Sequence, residues 1–205
     1  VVAGGGSPGG LALRFTGEVK NGAVNIFGGS SLTSLLTTSV RFDGVPAMTA
    51  CPLTVTDSTI AFSTHGIEVW NEVTDSALTI TRSTITAGGS GAAGIDCIKC
   101  SKPFTDSPVT LTDVVLAPGS PGTGLHISPG GITRSPIVMT RVTCTTGTYA
   151  GSIHGLVDSP VTITDSQLIG TTRSLYFPNF LRSAFSITGS TLESGHTSLA
   201  TMVSN

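Results

Sequence analysis

The segment Val161-Thr-Ile-Thr-Asp-Ser-Gln-Leu168 is one copy of an eight-residue phrase that recurs along the chain. Apolar and polar residues alternate within it, which is the period-2 pattern of a half-buried β-strand. Five further copies occupy residues 53–60, 78–85, 109–116, 137–144 and 185–192, and a weaker copy begins at Val24. The six strong copies start 25, 31, 28, 24 and 24 residues apart. A strand unit that recurs in phase predicts stacked coils, because one unit alone cannot bury its apolar side chains.

A second phrase follows each first phrase after a gap that is rich in Gly or Ser. Its copies are Gly66-Ile-Glu-Val69, Gly94-Ile-Asp-Cys97, Gly124-Leu-His-Ile127, Ser152-Ile-His-Gly155 and Ser174-Leu-Tyr-Phe177. A third element, such as Asp106-Ser-Pro108, precedes the next first phrase and is typical of a tight corner. Each repeat is therefore predicted to contain three strands joined by a turn, a loop and a corner, and no segment has the 3.6-residue period of a helix.

These phrases resemble the repeat of the right-handed parallel β-helix in the pectate-lyase-like superfamily. The resemblance implies an all-β, single-stranded right-handed parallel β-helix, a β-solenoid, of about seven coils of 24–31 residues. Residues 24–205 would form this domain, and residues 1–23 an N-terminal arm or a first-strand segment. The superfamily includes polysaccharide lyases, hydrolases, phage tailspikes and surface adhesin passengers, so its fold does not determine function. The short motifs Asn21-Gly-Ala-Val24 and Phe27-Gly-Gly29 also resemble, weakly, repeats of outer-membrane adhesins.

Equivalent residues of successive coils are expected to stack about 4.8 Å apart, so the copies form columns. One inward column is predicted to contain Leu53, Leu78, Val109, Ile137, Val161 and Phe185. An outward array is predicted from Thr54, Thr79, Thr110, Val138, Thr162 and Ser186, beside Thr56, Thr81, Thr112, Thr140, Thr164 and Thr188. This array resembles the threonine rows of β-solenoid ice-binding proteins, which makes ice binding a minor alternative function. The simpler interpretation is that Thr has a high strand propensity and pairs well across strands.

A turn column alternates in charge, and it is predicted to fix the register of the coils. Its members are Asp57, Arg82, Asp113, Arg141, Asp165 and Gly189. Opposite charges on neighbouring rungs attract, but exposed pairs contribute little to stability.

Residues that could carry chemistry are concentrated in the second phrase. We predict an outward column of Glu68, Asp96, His126, His154 and Tyr176, with Trp70 beside its first rung. Carboxylates, imidazoles and aromatic rings on one face suit the binding of a polysaccharide, or acid–base catalysis. If the protein is an enzyme, the catalytic candidates are Glu68, Asp96 and His126, because carboxylates one rung apart are compatible with a retaining hydrolase.

Two observations oppose an enzyme. The chain lacks the Asn-Thr-Asp, Asp-Asp and Gly-His-Gly motifs that are typical of galacturonases in the superfamily. The same outward residues are also explained, more simply, as solvated polar side chains on an exposed strand.

Composition and charge limit the partners and the cellular locations that we expect for this chain. Charged residues make up 11% of the 205 residues and the net charge is −2, so no basic stripe is available for nucleic acid. No apolar run approaches the ~18 residues of a membrane helix, and we expect no transmembrane segment. The chain begins at Val1 without a signal peptide and is poor in Lys. We therefore expect a secreted, processed form or a fragment, located outside the cell or at its surface.

Four cysteines are too few for a disulfide scaffold. Cys51 and Cys144 stand alone, whereas Cys97 and Cys100 form a CxxC motif without a second ligand pair, so we expect no metal site. Cys144 occupies an inward position of its phrase and is expected to be a small buried hydrophobic residue. The disulfide state of the four cysteines stays open, and a local Cys97–Cys100 bridge is one possibility.

The ends of a β-helix expose strand edges that template further pairing. The apolar N-terminal residues Leu11, Leu13 and Phe15 are candidates for docking onto another chain. We therefore expect an extracellular, non-catalytic structural protein that self-assembles into a filament or sheath, or adheres at a cell surface. The alternative is a carbohydrate-active enzyme or a polysaccharide-binding domain. Neither interpretation requires a cofactor.

Overall fold

The chain is wound into a parallel β-solenoid. A computed structural model describes residues 11–34, 36–43, 47–88, 95–127, 130–195 and 200–204. These residues form 28 strands, numbered here in chain order, and each strand pairs in parallel with the equivalent strand of the next coil. The all-β solenoid class predicted from the repeats is therefore confirmed.

Two seven-stranded sheets are built from the first phrase and contain one strand per coil, which is close to the predicted seven coils. Sheet 1 comprises β3 (Val24–Ile26), β7 (Leu53–Thr56), β11 (Leu78–Thr81), β15 (Val109–Thr112), β19 (Ile137–Thr140), β23 (Val161–Thr164) and β26 (Phe185–Thr188). Sheet 2 comprises β4 (Ser31–Thr33), β8 (Thr59–Phe62), β12 (Thr84–Ala87), β16 (Val115–Ala117), β20 (Thr143–Cys144), β24 (Gln167–Gly170) and β27 (Thr191–Ser194).

Sheet 3 is formed by the second phrase and by a short strand that sequence analysis did not predict. Its wide half contains β1 (Leu13–Phe15), β5 (Val40–Phe42), β9 (His65–Val69), β13 (Ile95–Cys100), β17 (Gly122–Ile127), β21 (Tyr149–Ile153), β25 (Arg173–Leu181) and β28 (Ala200–Ser204). Its narrow half contains β2 (Val19–Lys20), β6 (Met48–Thr49), β10 (Val73–Thr74), β14 (Phe104–Thr105), β18 (Ile132–Thr133) and β22 (Leu156–Val157). The long strand β25 pairs with both β21 and β22 and so joins the halves.

Inward side chains of the three sheets fill one continuous core. The predicted inward column of sheet 1 is confirmed: Leu53 lies opposite Leu78, and the register continues to Phe185. Cys144 lies opposite Leu168 and is fully buried, as its position in the phrase predicted. The outward threonine columns are also in register along sheet 1, and their side chains are half-buried except on the last rung.

All four cysteines are buried free thiols, so the Cys97–Cys100 bridge left open by the sequence is not present. Burial raises the pKa of Cys100 and of Cys144 to about 12. A thiol of such a pKa stays protonated at neutral pH, and the protonated form is a poor nucleophile.

The described coils turn at corners in the left-handed backbone region, which residues other than Gly and Asn seldom adopt. The corners between sheets 1 and 2 hold the predicted charge column, and Asp57 and Arg82 there have φ values of 50° and 46°. Arg82 forms a fork-shaped pair with Asp57 at 2.7 and 2.8 Å, and Arg141 pairs likewise with Asp113. A second ladder on the following corner pairs Arg134 with Asp106 and Arg182 with Asp158.

A column of serines, which we call the serine ladder, follows the second set of corners and is buried except at its last, half-buried member. Its members are Ser76, Ser107, Ser135, Ser159 and Ser183. Each hydroxyl donates to the carbonyl two residues earlier and accepts the backbone N–H of the equivalent residue in the preceding coil. The ladder thus satisfies backbone donors that the corner removes from the regular strand pairing.

No helix long and apolar enough to cross a membrane occurs among the residues that the structure describes.

Candidate functional site

The predicted chemistry-bearing residues lie on, or directly after, the strands β9, β13, β17, β21 and β25, whose outward surface we call the site face. Five residues in register form its central column: Glu68, Lys99, His126, Ser152 and Tyr176. The predicted column was therefore wrong at two rungs, because Lys99 stands where Asp96 was expected and Ser152 where His154 was expected.

The cause of the error is the small residue that was used to align the second phrases. In the predicted alignment Gly94 lay opposite Gly66, but Ile98 pairs with Ile67, which places Cys97 opposite that glycine. Likewise Gly151 pairs with Leu125, so that Ala150 lies opposite Gly124. Cys97 and Ala150 thus occupy the position that glycine holds in the neighbouring coil. Relative to the predicted alignment, the phrase that contains Cys97 is shifted by three residues and the phrase that contains Ala150 by two. Asp96 consequently faces His65 and Thr123 in the neighbouring column.

Despite the shift, side chains of both columns meet in one polar cluster, which we call the site cluster. It consists of His65, Glu68, Asp96, Lys99 and His126. Glu68 and Asp96 are only 3% and 5% exposed, so these two residues are not solvated as the simpler interpretation expected. Buried carboxylates are costly unless they are paired, and this requirement explains the surrounding donors.

His65 lies between the two carboxylates. Its Nδ1 is 3.3 Å from Glu68 Oε1, and its Nε2 is 3.9 Å from Asp96 Oδ2 and 3.3 Å from Lys99 Nζ. Burial is the largest influence and lowers the pKa of His65, with an opposing attraction from Glu68. In the neutral ring, Nε2 accepts a hydrogen bond from Lys99, while Nδ1 lies beside Glu68 Oε1. Thr38 Oγ1 donates to Glu68, at 3.1 Å.

Asp96 makes its shortest contact within the site cluster with His126. The distance from His126 Nδ1 to Asp96 Oδ2 is 3.0 Å, and the carboxylate accepts the Nδ1 proton. Both residues line an open depression of about 330 Å³ whose other walls include Lys99, Thr123 and Tyr149. A carboxylate that orients an imidazole beside a depression is the arrangement of a general base.

Aromatic rings continue along the site face beyond the depression. The ring of His154 lies 6.4 Å from His126 and 5.7 Å from Tyr176, and Tyr149 lies 6.0 Å from Tyr176. Arg173 covers Tyr176 at 4.8 Å. Burial, and to a smaller extent His126, lower the pKa of His154, which favours its neutral form. We call this group the aromatic strip.

Trp70 lies next to the site cluster, immediately after β9. Its side chain is 48% exposed, and the Arg41 guanidinium lies 5.0 Å from its ring centroid. The Nε atom of Arg41 is also 3.5 Å from Glu68 Oε2. Trp70 therefore adds a large apolar surface to the face that already holds the charged groups.

The sequence suggested that Glu68 and Asp96 form a glycosidase pair, and that role stays a prediction. The His65 ring lies between them. Thr38 donates a hydrogen bond to Glu68, and His126 donates one to Asp96, while His65 and Arg41 lie 3.3 and 3.5 Å from the Glu68 carboxylate. Among the described residues, no group of His, Cys, Asp and Glu side chains is arranged to hold a metal ion.

The N-terminal residues proposed for assembly lie at the edge of sheet 3. Leu13 is buried in β1, Phe15 stacks on Phe42 at 4.5 Å between centroids, and Leu11 is half-buried just before the strand. β1 pairs with β5. The role of these residues in assembly stays a prediction.

Sequence reasoning missed His65, Lys99, Thr38, Tyr149 and Arg173. A register based on the buried apolar positions Ile67, Ile98 and Leu125, rather than on glycines, would have placed Lys99 in the central column. Comparison with protein-family models, with curated proteins and with solved structures finds no significant match for this chain.

Proposed function

We propose that this chain is an extracellular β-solenoid module that adheres to a surface by binding polysaccharide along its site face. The observation that carries the proposal is the juxtaposition, on adjacent strands, of Trp70, the site cluster, the depression and the aromatic strip. The extracellular assignment rests on the low charge and the small number of lysines.

The chemistry of the face suits a carbohydrate. Exposed aromatic rings offer flat apolar surfaces with a polar tip, against which the apolar side of a sugar ring packs. Lys99, His126 and Thr123 supply hydrogen-bonding groups around the depression, and sugars are recognised through many such groups. Because the rungs are fixed by parallel pairing, the groups are positioned before the ligand arrives, which lowers the entropic cost of binding.

The test is a binding survey of the purified chain against soluble and insoluble polysaccharides, with dissociation constants measured by calorimetry for any ligand found. Trp70→Ala and Tyr176→Ala are expected to weaken binding about 10-fold or more each, since buried aromatic contacts dominate interfaces. The matched control is Phe27→Ala, which removes an aromatic ring that is 68% exposed on a different part of the coil.

Binding that is lost in the Trp70 and Tyr176 variants but retained in the Phe27 variant supports the proposal. It fails if no polysaccharide binds, or if all three variants bind as the unmodified chain does.

A second candidate function is ice binding by the threonine array of sheet 1. The observation that favours it is the register, because Thr79 lies opposite Thr54 and Thr110, and Thr81 opposite Thr56 and Thr112. Such rows repeat at about 4.8 Å. We expect thermal hysteresis that is lost in Thr110→Lys and kept in Tyr176→Ala. An unmodified chain without hysteresis would leave strand propensity as the reason for the array.

A further inference from the structure

The Asp96–His126 pair has the features of a catalytic dyad. Asp96 is 5% exposed and accepts the Nδ1 proton of His126 at 3.0 Å, whereas the His126 side chain is 26% exposed and borders the depression. Proton donation from Nδ1 leaves the basic lone pair of the ring on Nε2. The buried carboxylate fixes this tautomer and stabilises the imidazolium that forms when Nε2 takes a proton.

We propose that His126, oriented by Asp96, is the general base for the hydrolysis of acyl esters carried by a polysaccharide. The proposal deepens the proposed function, and it rests on that function for the identity of the carrier. The ester is favoured over the glycosidic bond because Asp96 is the one carboxylate among the described residues that line the depression. Glycoside hydrolysis uses two carboxyl groups at the reacting bond, whereas ester hydrolysis needs one general base.

The reaction requires only water as a second reactant. His126 Nε2 takes one proton from a water molecule while the water oxygen forms a bond to the ester carbonyl carbon. The tetrahedral intermediate then collapses, the bond between the carbonyl carbon and the alkoxy oxygen breaks, and the imidazolium returns its proton to the leaving alkoxide. The products are a carboxylic acid and the sugar hydroxyl, and no electron is transferred to another group.

Two other residues that line the depression are placed to stabilise the tetrahedral intermediate. Lys99 and Tyr149 supply a cation and a hydroxyl donor at the same site, and such groups stabilise the negative charge that develops on the carbonyl oxygen. Ser152 lies opposite His126 but is 4% exposed, which makes it inaccessible to a bulky ester. Water, and not a serine, is therefore assigned as the nucleophile, and Asp96 as a positioning residue.

The test uses two esters, p-nitrophenyl acetate and acetylated xylan, with release of nitrophenol or acetate as the readout. His126→Gln and Asp96→Asn are expected to lower kcat about 100-fold or more, with little change in KM, because a general base contributes to that extent. The matched control is Asp57→Asn, which removes a carboxylate paired with Arg82 at a distant corner and is expected to keep full activity. Circular dichroism verifies that each variant is folded.

Two further readouts separate catalysis from a structural role. Nitrogen-15 NMR of His126 is expected to show protonated Nδ1 in the unmodified chain and a changed tautomer balance in Asp96→Asn. A pre-steady-state burst of nitrophenol would indicate an acyl-enzyme and would overturn the water mechanism.

The proposal is overturned if neither ester is cleaved faster than in buffer, or if His126→Gln keeps the activity. Binding of deacetylated xylan is measured separately on the unmodified chain. Cleavage of p-nitrophenyl acetate without xylan binding would refute the proposed carrier, whereas binding without cleavage of either ester would refute the dyad alone.

Discussion

The serine ladder makes a quantitative prediction about stability. Ser107 is fully buried; its hydroxyl donates to Thr105 O at 2.7 Å and accepts the backbone N–H of Ser76 at 3.0 Å. In Ser107→Ala the amide of Ser76 keeps its buried position but loses its acceptor. The free energy of unfolding is therefore expected to fall by about 1–3 kcal/mol, the cost of a buried unsatisfied donor.

This loss is large enough to measure by calorimetry and by urea unfolding. For a chain of this length, Tm is expected to fall by about 2–4 °C per kcal/mol. The matched control is Ser183→Ala, because Ser183 makes the same two contacts at 3.0 and 3.1 Å but is half-buried. Water can replace the missing hydroxyl there, so we expect a decrease below about 1 kcal/mol. Equal losses in the two variants, or no loss in Ser107→Ala, would refute the reasoning.

Three other predictions concern packing, pH and charge. A Cβ on Gly66 would meet Cys97 O at 2.5 Å and clash with Ile85, so Gly66→Ala should cost about 1–3 kcal/mol by urea unfolding, against under about 0.5 for Gly22→Ala. Burial lowers the pKa of His65, so as the pH drops the unfolded chain binds this proton before the folded chain does. The free energy of unfolding should therefore fall below about pH 6.5, and it should fall less steeply in His65→Gln. Identical curves of Tm against pH for the two proteins would contradict this. Arg134→Ala removes a surface ion pair and should lower Tm less than Gly66→Ala does. High salt should reduce the effect of Arg134→Ala further, because it screens exposed charges.

The sheets built from the first phrase could be predicted because their pattern repeats without interruption. Alternation of apolar and polar residues fixes which side chains face inward, and a slip of one residue would reverse every side chain. The register from Leu53 to Phe185 therefore follows from the sequence alone. The charged column was predictable for the same reason, although its left-handed φ values were not, since Asp57 and Arg82 lack the usual glycine signature.

The site could be predicted only in part. Most of its aromatic and carboxylate residues could be identified in the second phrase. The column that each residue occupies, however, depends on the register between strands. That register is shifted in one coil, where Asp96 pairs with His65. The burial of Glu68 and the contacts of Lys99 arise from side chains that converge from different coils. The serine ladder was visible as recurring Ser residues such as Ser107, but its hydrogen bonds join coils and are not encoded by local pattern.

The alternating charges at the corner between sheets 1 and 2 make that ladder sensitive to the number of coils that are added or removed. Removing the single coil 82–112 would bring Asp57 beside Asp113, two carboxylates at neighbouring left-handed corners with no arginine between them. Removing the two coils 57–112 instead leaves Asp113 in the place of Asp57 and keeps the order of signs. At this corner, a change by an even number of coils keeps the order of signs. The other corner already places Asp75 beside Asp106, so the dependence on parity is a property of the one ladder between sheets 1 and 2.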